Sequence, residues 1–471
     1  MSERWLLRGA TVVTCDDELG DLPSADVLIE GGKIAAIGPG LSVSDARVLE
    51  LEGKLVMPGL VDTHRHTWQT PLRALGADWT VMDYLAAVRV KLSPLFRPED
   101  ILVANHAGAL EALDAGITTL VDYSHCIYSP DHADAAIDGL EAAGGRALFA
   151  YGYAAGPTPS PDLPDHRARI RDAERLRRSR LASDDRLVRM GVALTEMQVP
   201  WEVSVDEIRS ARALGVPITL HCSAWPVNKS EVQLMAAEGL LGADMLYVHC
   251  TFSSEDDLRA IRDSGGSISA TPETELQMGM GFPVVGRALC AGVRWSLGCD
   301  VVSSNGGDMF TAMRLAMQAE RGAENARVGL PSSLPLKAAR MLRATTTDAA
   351  EAIGLGRVVG SLRPGKDADL VVLSADALNL TPLNRPREAV VMQAHAGNVE
   401  TVIVRGVPVK LGGVLVGQDL ALLRRRLVAS RDALVERAGG VASLLGEVHR
   451  LEESWDMGGG KSATGDAGAS A

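Results

Sequence analysis

Aromatic residues make up only 4% of this 471-residue chain. Its core must therefore be mainly aliphatic, and a tryptophan beside a polar motif gains interest. A disulfide framework is excluded as well. The six cysteines, Cys15, Cys126, Cys222, Cys250, Cys290 and Cys299, are scattered without a CxxC pair, and a chain of this length does not need such staples. Reduced thiols in a cytoplasmic protein are the expectation. No apolar run approaches the ~20 residues of a membrane span, and the N-terminus has no apolar stretch of signal-peptide length. Basic charge is also short: 47 Lys and Arg against 60 Asp and Glu leave a net charge of −13. Phosphate backbones need clustered Lys and Arg, so nucleic acid is excluded as a partner. A small-molecule partner remains, with a homo-oligomer as the prior for a soluble protein.

What is present has two textures. Single domains usually stop growing at ~250–300 residues, so a large and a small domain are expected. Residues 1–58 and 365–415 read as short strands and turns. One is a hairpin over Asp26 to Gly38 with a Gly31-Gly32 turn. The two β-rich ends are expected to meet in one discontinuous β-sandwich domain. Between them, residues 59–364 alternate short apolar strands with amphipathic helical stretches. One stretch spans Val205 to Gly215, with Ser204 as its N-cap and Glu207 completing a capping box. Repeated β-then-α units argue for a parallel sheet. Eight strands favour a closed, distorted (β/α)8 TIM barrel. Residues 416–457 read as a charged helical segment whose Arg424-Arg425-Arg426 run is a solvated face. Residues 458–471 are Gly/Ala/Ser-rich and expected to be disordered.

Polar residues recur where the barrel strands end. Asp62-Thr63-His64-Arg65-His66 closes the first strand, His221 the fifth, His249 the sixth and Asp300 the eighth. Residues i and i+2 of a strand share a face, so His64 and His66 can both look into the barrel mouth. Such barrels place their catalytic groups at this end. A lone strand-end histidine is more often structural than a ligand. The conjunction of HxH, His, His and Asp at successive strand ends is what carries the reading. Three imidazoles and a carboxylate suit one divalent cation, Zn²⁺ first, with Fe²⁺ or Mn²⁺ as alternatives.

The run Met57-Pro58-Gly59-Leu60-Val61-Asp62-Thr63-His64-Arg65-His66 resembles the opening of the amidohydrolase superfamily. It is most similar to the branch of cytosine, guanine and triazine deaminases and chlorohydrolases. Leu297-Gly298-Cys299-Asp300 and Gly360-Ser361-Leu362-Arg363-Pro364-Gly365 extend the likeness. The resemblance implies His64, His66, His221 and Asp300 as metal ligands. It implies His249 beside the attacking water and Asp300 as acceptor of its proton. The expected activity is hydrolysis of a C–N bond in a small cyclic, heteroaromatic substrate through a metal-activated water, by deamination or ring-amide or amidine opening.

One position departs from the pattern. Deaminases of this branch place a proton-shuttling Glu three residues after the fifth-strand His, where this chain has Ala224. Glu196, after the fourth strand, and Glu273 or Glu275, after the seventh, are candidate replacements. Glu196 would also be the bridging group if two metals bound. The departure leaves room for a non-deaminating relative (dechlorination, lactam opening, elimination) or a non-catalytic scaffold. Trp68 and Gln69, directly after the HxH turn, and Trp225 are candidate contacts for a flat substrate. Cys222, Cys250 and Cys299 neighbour proposed site residues but alternate away from them, as packing residues do.

Overall fold

The computed structural model describes residues 4–153, 160–195, 200–226 and 230–440. Eight parallel strands form one sheet in chain order: β1 (Leu60–Arg65), β2 (Ile117–Ser124), β3 (Arg146–Gly152), β4 (Val188–Ala193), β5 (Ile218–Cys222), β6 (Met245–His249), β7 (Ser267–Ala270) and β8 (Arg294–Leu297). Nearly all their residues are buried, as expected of parallel strands covered by helices. The sheet closes at its C-terminal end. Asp300 N donates to His64 O at 2.8 Å, and His66 N donates to Asp300 O at 3.1 Å. Gly298 permits that approach: a Cβ there would lie 2.7 Å from both the Cβ and the O of His64. Deeper inside, Thr63 Oγ1 sits 2.7 Å from Ser269 Oγ and 2.8 Å from Ser296 Oγ. This hydroxyl hub ties β1 to β7 and β8.

The helix expected from Val205 begins a turn earlier, at Trp201, and runs to Leu214. Ser204 is not its cap. Glu207 is buried and accepts from Thr195 N (2.9 Å) and Thr195 Oγ1 (2.6 Å), so its carboxylate anchors the end of β4 instead of closing a capping box. The helix does stop at Gly215, which takes the left-handed conformation (φ 66°).

Both ends of the chain enter a second, mixed sheet of nine strands. Leu370–Leu373 pairs antiparallel with Leu55–Pro58, which pairs parallel with Arg4–Val12. The Gly31-Gly32 turn takes φ of 60° and 80°, the two positive values a type I′ hairpin requires. Trp5, Leu7, Val27, Ile29, Leu370 and Ile403 give this sheet its own apolar core. Arg146 ties the two sheets together. Buried in β3, it donates to Asp367 (2.9 Å) and Asp369 (3.0 Å) on the turn before Leu370. The helix Leu420–Arg437 carries the three arginines on an exposed face. Among the described residues no helix is long and apolar enough to cross a membrane. The tail expected to be disordered, 458–471, lies outside the described residues.

Candidate metal centre

The strand ends bring His64, His66, His221, His249 and Asp300 together at the barrel mouth. One potential ligand atom from each of His64, His66 and His221 falls within 4.8 Å of the others, and the same holds for His64, His249 and Asp300. His64 Nε2 is 3.2 Å and His66 Nε2 3.4 Å from Asp300 Oδ1. His221 Nε2 is 3.4 Å from His64 Nε2. His249 stacks on His221 at 5.4 Å.

The electrostatics favour lone pairs over protons. Burial pushes the His64 imidazole down to about 4, against the pull of Asp300 and with help from His221 and His249. Burial, then the proximity of His64, holds His66 well below the ordinary histidine range. At neutral pH the short His–Asp contacts are therefore not ion pairs. Burial alone would raise the Asp300 carboxyl, but the surrounding imidazoles, His64 foremost, outweigh it and hold the group below the usual carboxylate range. An ionised carboxylate thus stands among neutral imidazoles.

Tautomers are set from behind. His66 Nδ1 lies 3.0 Å from Tyr123 O. A carbonyl can only accept, so Nδ1 carries the proton and Nε2 offers its lone pair to the centre. His249 Nδ1 sits 3.0 Å from Thr271 Oγ1 and 3.4 Å from Glu275 Oε1. Glu275 also accepts from Thr271 N at 2.8 Å. His249 (φ 73°) and Asp300 (φ 62°) both hold left-handed backbone, a conformation that costs a non-glycine residue ~1–3 kcal/mol and often marks a working site. A cluster of buried, neutral nitrogen donors around a buried carboxylate fits a divalent cation of borderline softness.

A cleft opens over this cluster. Its walls include Tyr84, Arg89, His125, Ala224, Trp225 and Met280. Trp225 is thus at the cleft. Trp68 and Gln69 are not. Both are fully buried, because the strand ends at Arg65 and the 3₁₀ turn Thr67–Leu72 rolls them into the core. Trp68 packs edge-on against Phe96. Gln69 donates to Tyr84 Oη (2.6 Å) and accepts from Ser303 Oγ (2.9 Å), so it orients a cleft residue without being one. Glu273 does not line the cleft either; burial, then the charge of Asp308, pushes its carboxyl up to about 7. Its neighbour Glu275 is the one that reaches His249. Glu196 lies outside the described residues. Cys222, Cys250 and Cys299 are buried. Sequence reasoning missed His125 and Arg89. For His125 the signal existed: it follows β2 directly, at a strand end like the other histidines.

A parallel eight-stranded barrel with a histidine-rich mouth and a mixed sheet built from both chain ends defines a class of hydrolase architecture. The model of the amidohydrolase family matches residues 55–409, and the chain belongs to that family. The 5-methylthioadenosine/S-adenosylhomocysteine deaminase of Acetivibrio thermocellus is 28% identical over 423 residues, which span 85% of this chain and 92% of the relative. The 5′-deoxyadenosine deaminase of Methanosarcina acetivorans is 27% identical over 412 residues, 85% and 91% of the two chains. Among solved structures, a zinc-bound adenosine deaminase from Xanthomonas campestris superposes with a TM-score of 0.83 at 24% identity, covering 91% of this chain and 98% of its own. The zinc complex of an atrazine chlorohydrolase from Arthrobacter aurescens gives 0.81 at 23% identity, covering 91% and 100%. At these identities the structures share the fold.

Proposed function

We propose that this chain is a metal-dependent hydrolase that removes ammonia from an amino-substituted heterocycle, with His64, His66, His221 and Asp300 holding one divalent cation, zinc by preference. The observation that carries the reading is the convergence of these donors, with His249, at the mouth of one cleft. The deaminase names of the relatives support the C–N bond as the target. The zinc in the structural neighbours supports the choice of metal.

A cation held by these residues would supply Lewis-acid chemistry, bringing the pKa of a bound water from 15.7 to ~7. The rest is the work of side chains. Asp300, ionised at any working pH, accepts the first proton of the attacking water. His249 donates Nδ1–H toward Thr271 and Glu275, which leaves its Nε2 for the substrate. Nε2 is an acceptor in the neutral ring and an acid in the charged one. The buried Glu275 carboxylate balances that charge when the ring takes up a proton. Water oxygen bonds to carbon, the C–N bond breaks, and the amino nitrogen leaves as ammonia with one proton of the water, while the other proton stays on the product as its hydroxyl or lactam N–H. Ala224, on the cleft wall, takes no part in moving them.

The test has two readouts. Metal per chain by plasma mass spectrometry should be about one in the wild type and well below that in Asp300→Ala. Ammonia release should appear from at least one member of a panel of aminated purines, pyrimidines, pterins and triazines. A metal-free protein purified without chelator would overturn the hydrolase reading. Hydrolysis of a panel member without ammonia would overturn deamination and favour ring opening or dechlorination.

A further inference from the structure

His125 stands one residue beyond β2. Its main chain is pressed against β3, where a Cβ on Gly152 would lie 2.5 Å from His125 Cα. The imidazole lies flat on His66, with ring centroids 4.2 Å apart and planes 7° from parallel. Its edge is held by Trp68, whose indole Nε1 donates to His125 Nδ1 at 3.1 Å. An indole nitrogen can only donate. The acceptor nitrogen must therefore carry a lone pair, and the ring's proton must sit on Nε2. A doubly protonated ring would set N–H against N–H. Trp68 is itself fully buried, with Phe96 edge-on against it, so the indole cannot swing away. His125 lines the cleft and Trp68 does not. With Nδ1 turned back to the indole, Nε2 is the nitrogen left for the cleft. Arg89 lines the same cleft, and a guanidinium offers hydrogens and accepts none.

We propose that His125 is a substrate-recognition residue whose Nε2–H is fixed as a donor by Trp68, and that it reads a lone-pair-bearing atom of the heterocycle, a ring carbonyl oxygen or an unprotonated ring nitrogen. This rests on the hydrolase reading above and adds an orientation to it. The acceptor edge of the substrate faces His125 and Arg89, and the carbon bearing the leaving nitrogen faces Asp300 and His249. Trp68, directly after the HxH turn, is the positioning residue. The short stretch from His64 to Trp68 thus carries two of the proposed metal ligands and the group that sets the donor.

The direct test is the nitrogen spectrum of histidine-labelled, zinc-loaded protein. The chain has ten histidines, and His125→Gln identifies the signal by its loss. The expected result at neutral pH is a neutral Nε2–H ring. Trp68→Phe, at unchanged metal content, should give a mixture of tautomers. An Nδ1–H or charged His125 ring in the wild type, or a spectrum indifferent to Trp68→Phe, overturns the proposal. On a panel substrate that releases ammonia, His125→Phe should raise KM roughly 10-fold, the worth of one neutral hydrogen bond. His125→Gln, which keeps an N–H, should recover part of it. An unchanged KM in His125→Phe also overturns the proposal. A panel that releases no ammonia defeats the deaminase reading alone, because the tautomer measurement needs no substrate.

Discussion

Gly298→Ala is expected to spring the barrel open at the metal centre. The added Cβ would sit 2.7 Å from His64 Cβ, 2.7 Å from His64 O and 2.9 Å from His64 N. These are backbone or near-backbone atoms, so no flexible side chain can yield. Either β8 or β1 must move, and the hydrogen bonds lost first are Asp300 N to His64 O and His66 N to Asp300 O. Overpacking costs ~1–3 kcal/mol and each weakened bond about 1 kcal/mol. The expected loss is about 3–5 kcal/mol, a large share of the ~5–15 kcal/mol that a folded protein holds in all. The same shift separates His64 from Asp300, and metal sites tolerate only ~0.2 Å. Denaturant midpoint and metal per chain should therefore fall together. Gly322→Ala is the control. It lies exposed in the helix Met309–Val328, its Cβ would meet nothing within 4 Å, and it should gain up to ~1 kcal/mol. A Gly298→Ala protein with wild-type midpoint and full metal content would refute the closure argument.

Arg146→Ala leaves Asp367 and Asp369 facing a buried void and should cost ~3–5 kcal/mol in denaturant unfolding; a loss under ~1 kcal/mol would mean the two sheets do not depend on this link. Glu273→Gln tests a pH effect. The Glu273 carboxyl is raised to about 7 from 4.5, by burial first and Asp308 second, so in the wild type stability is lost as pH rises from 4.5 through 7. The neutral variant should gain about 3 kcal/mol over wild type at pH 8 and nothing at pH 4, and an equal difference at both pH values would sink the assignment. Glu275→Gln should lower kcat for ammonia release by roughly 10–100-fold, as loss of a group behind a site histidine does; an unchanged kcat would remove Glu275 from proton handling.

The barrel was legible because its strands are apolar runs punctuated by polar ends, and burial on both faces demands that pattern. The cluster of donors was legible for the same reason: His64, His66, His221 and Asp300 stand at or just past the ends of strands. Reading failed where the chain left the strand. Trp68 and Gln69 follow the HxH motif in sequence, but the 3₁₀ turn that begins at Thr67 breaks the period-two alternation, so adjacency says nothing about direction. His125 was missed because Tyr123 and Ser124 interrupt the apolar run, although the backbone stays extended to Ser124. The helix start was misplaced because a buried Glu207 serves Thr195, a contact between two elements that no local motif records. Nor can the left-handed backbone at His249 and Asp300 be read from residues that ordinarily avoid it.

Ala224 shows how the two kinds of reading combine. The sequence shows that the carboxylate is missing from this position, and among the described residues no other acid takes its place beside Ala224. Glu231, the next acid along the chain, is bound to Ser223 N at 3.1 Å and Ser223 Oγ at 3.2 Å, and it does not line the cleft. Among the described residues the only carboxylate on the cleft wall is Asp300. On the proposed mechanism, a second proton route built from the described residues passes through an intermediary. His249 is the group with both an exit to the cleft and a buried carboxylate behind it, Glu275, reached directly and through Thr271. On the proposed mechanism, the acid that a one-strand motif would have supplied from β5 is supplied instead by Glu275, at the start of the helix Pro272–Gln277, through His249 at the end of β6. That is why spacing along the chain could propose Glu273 and Glu275 together, and only packing could choose between them.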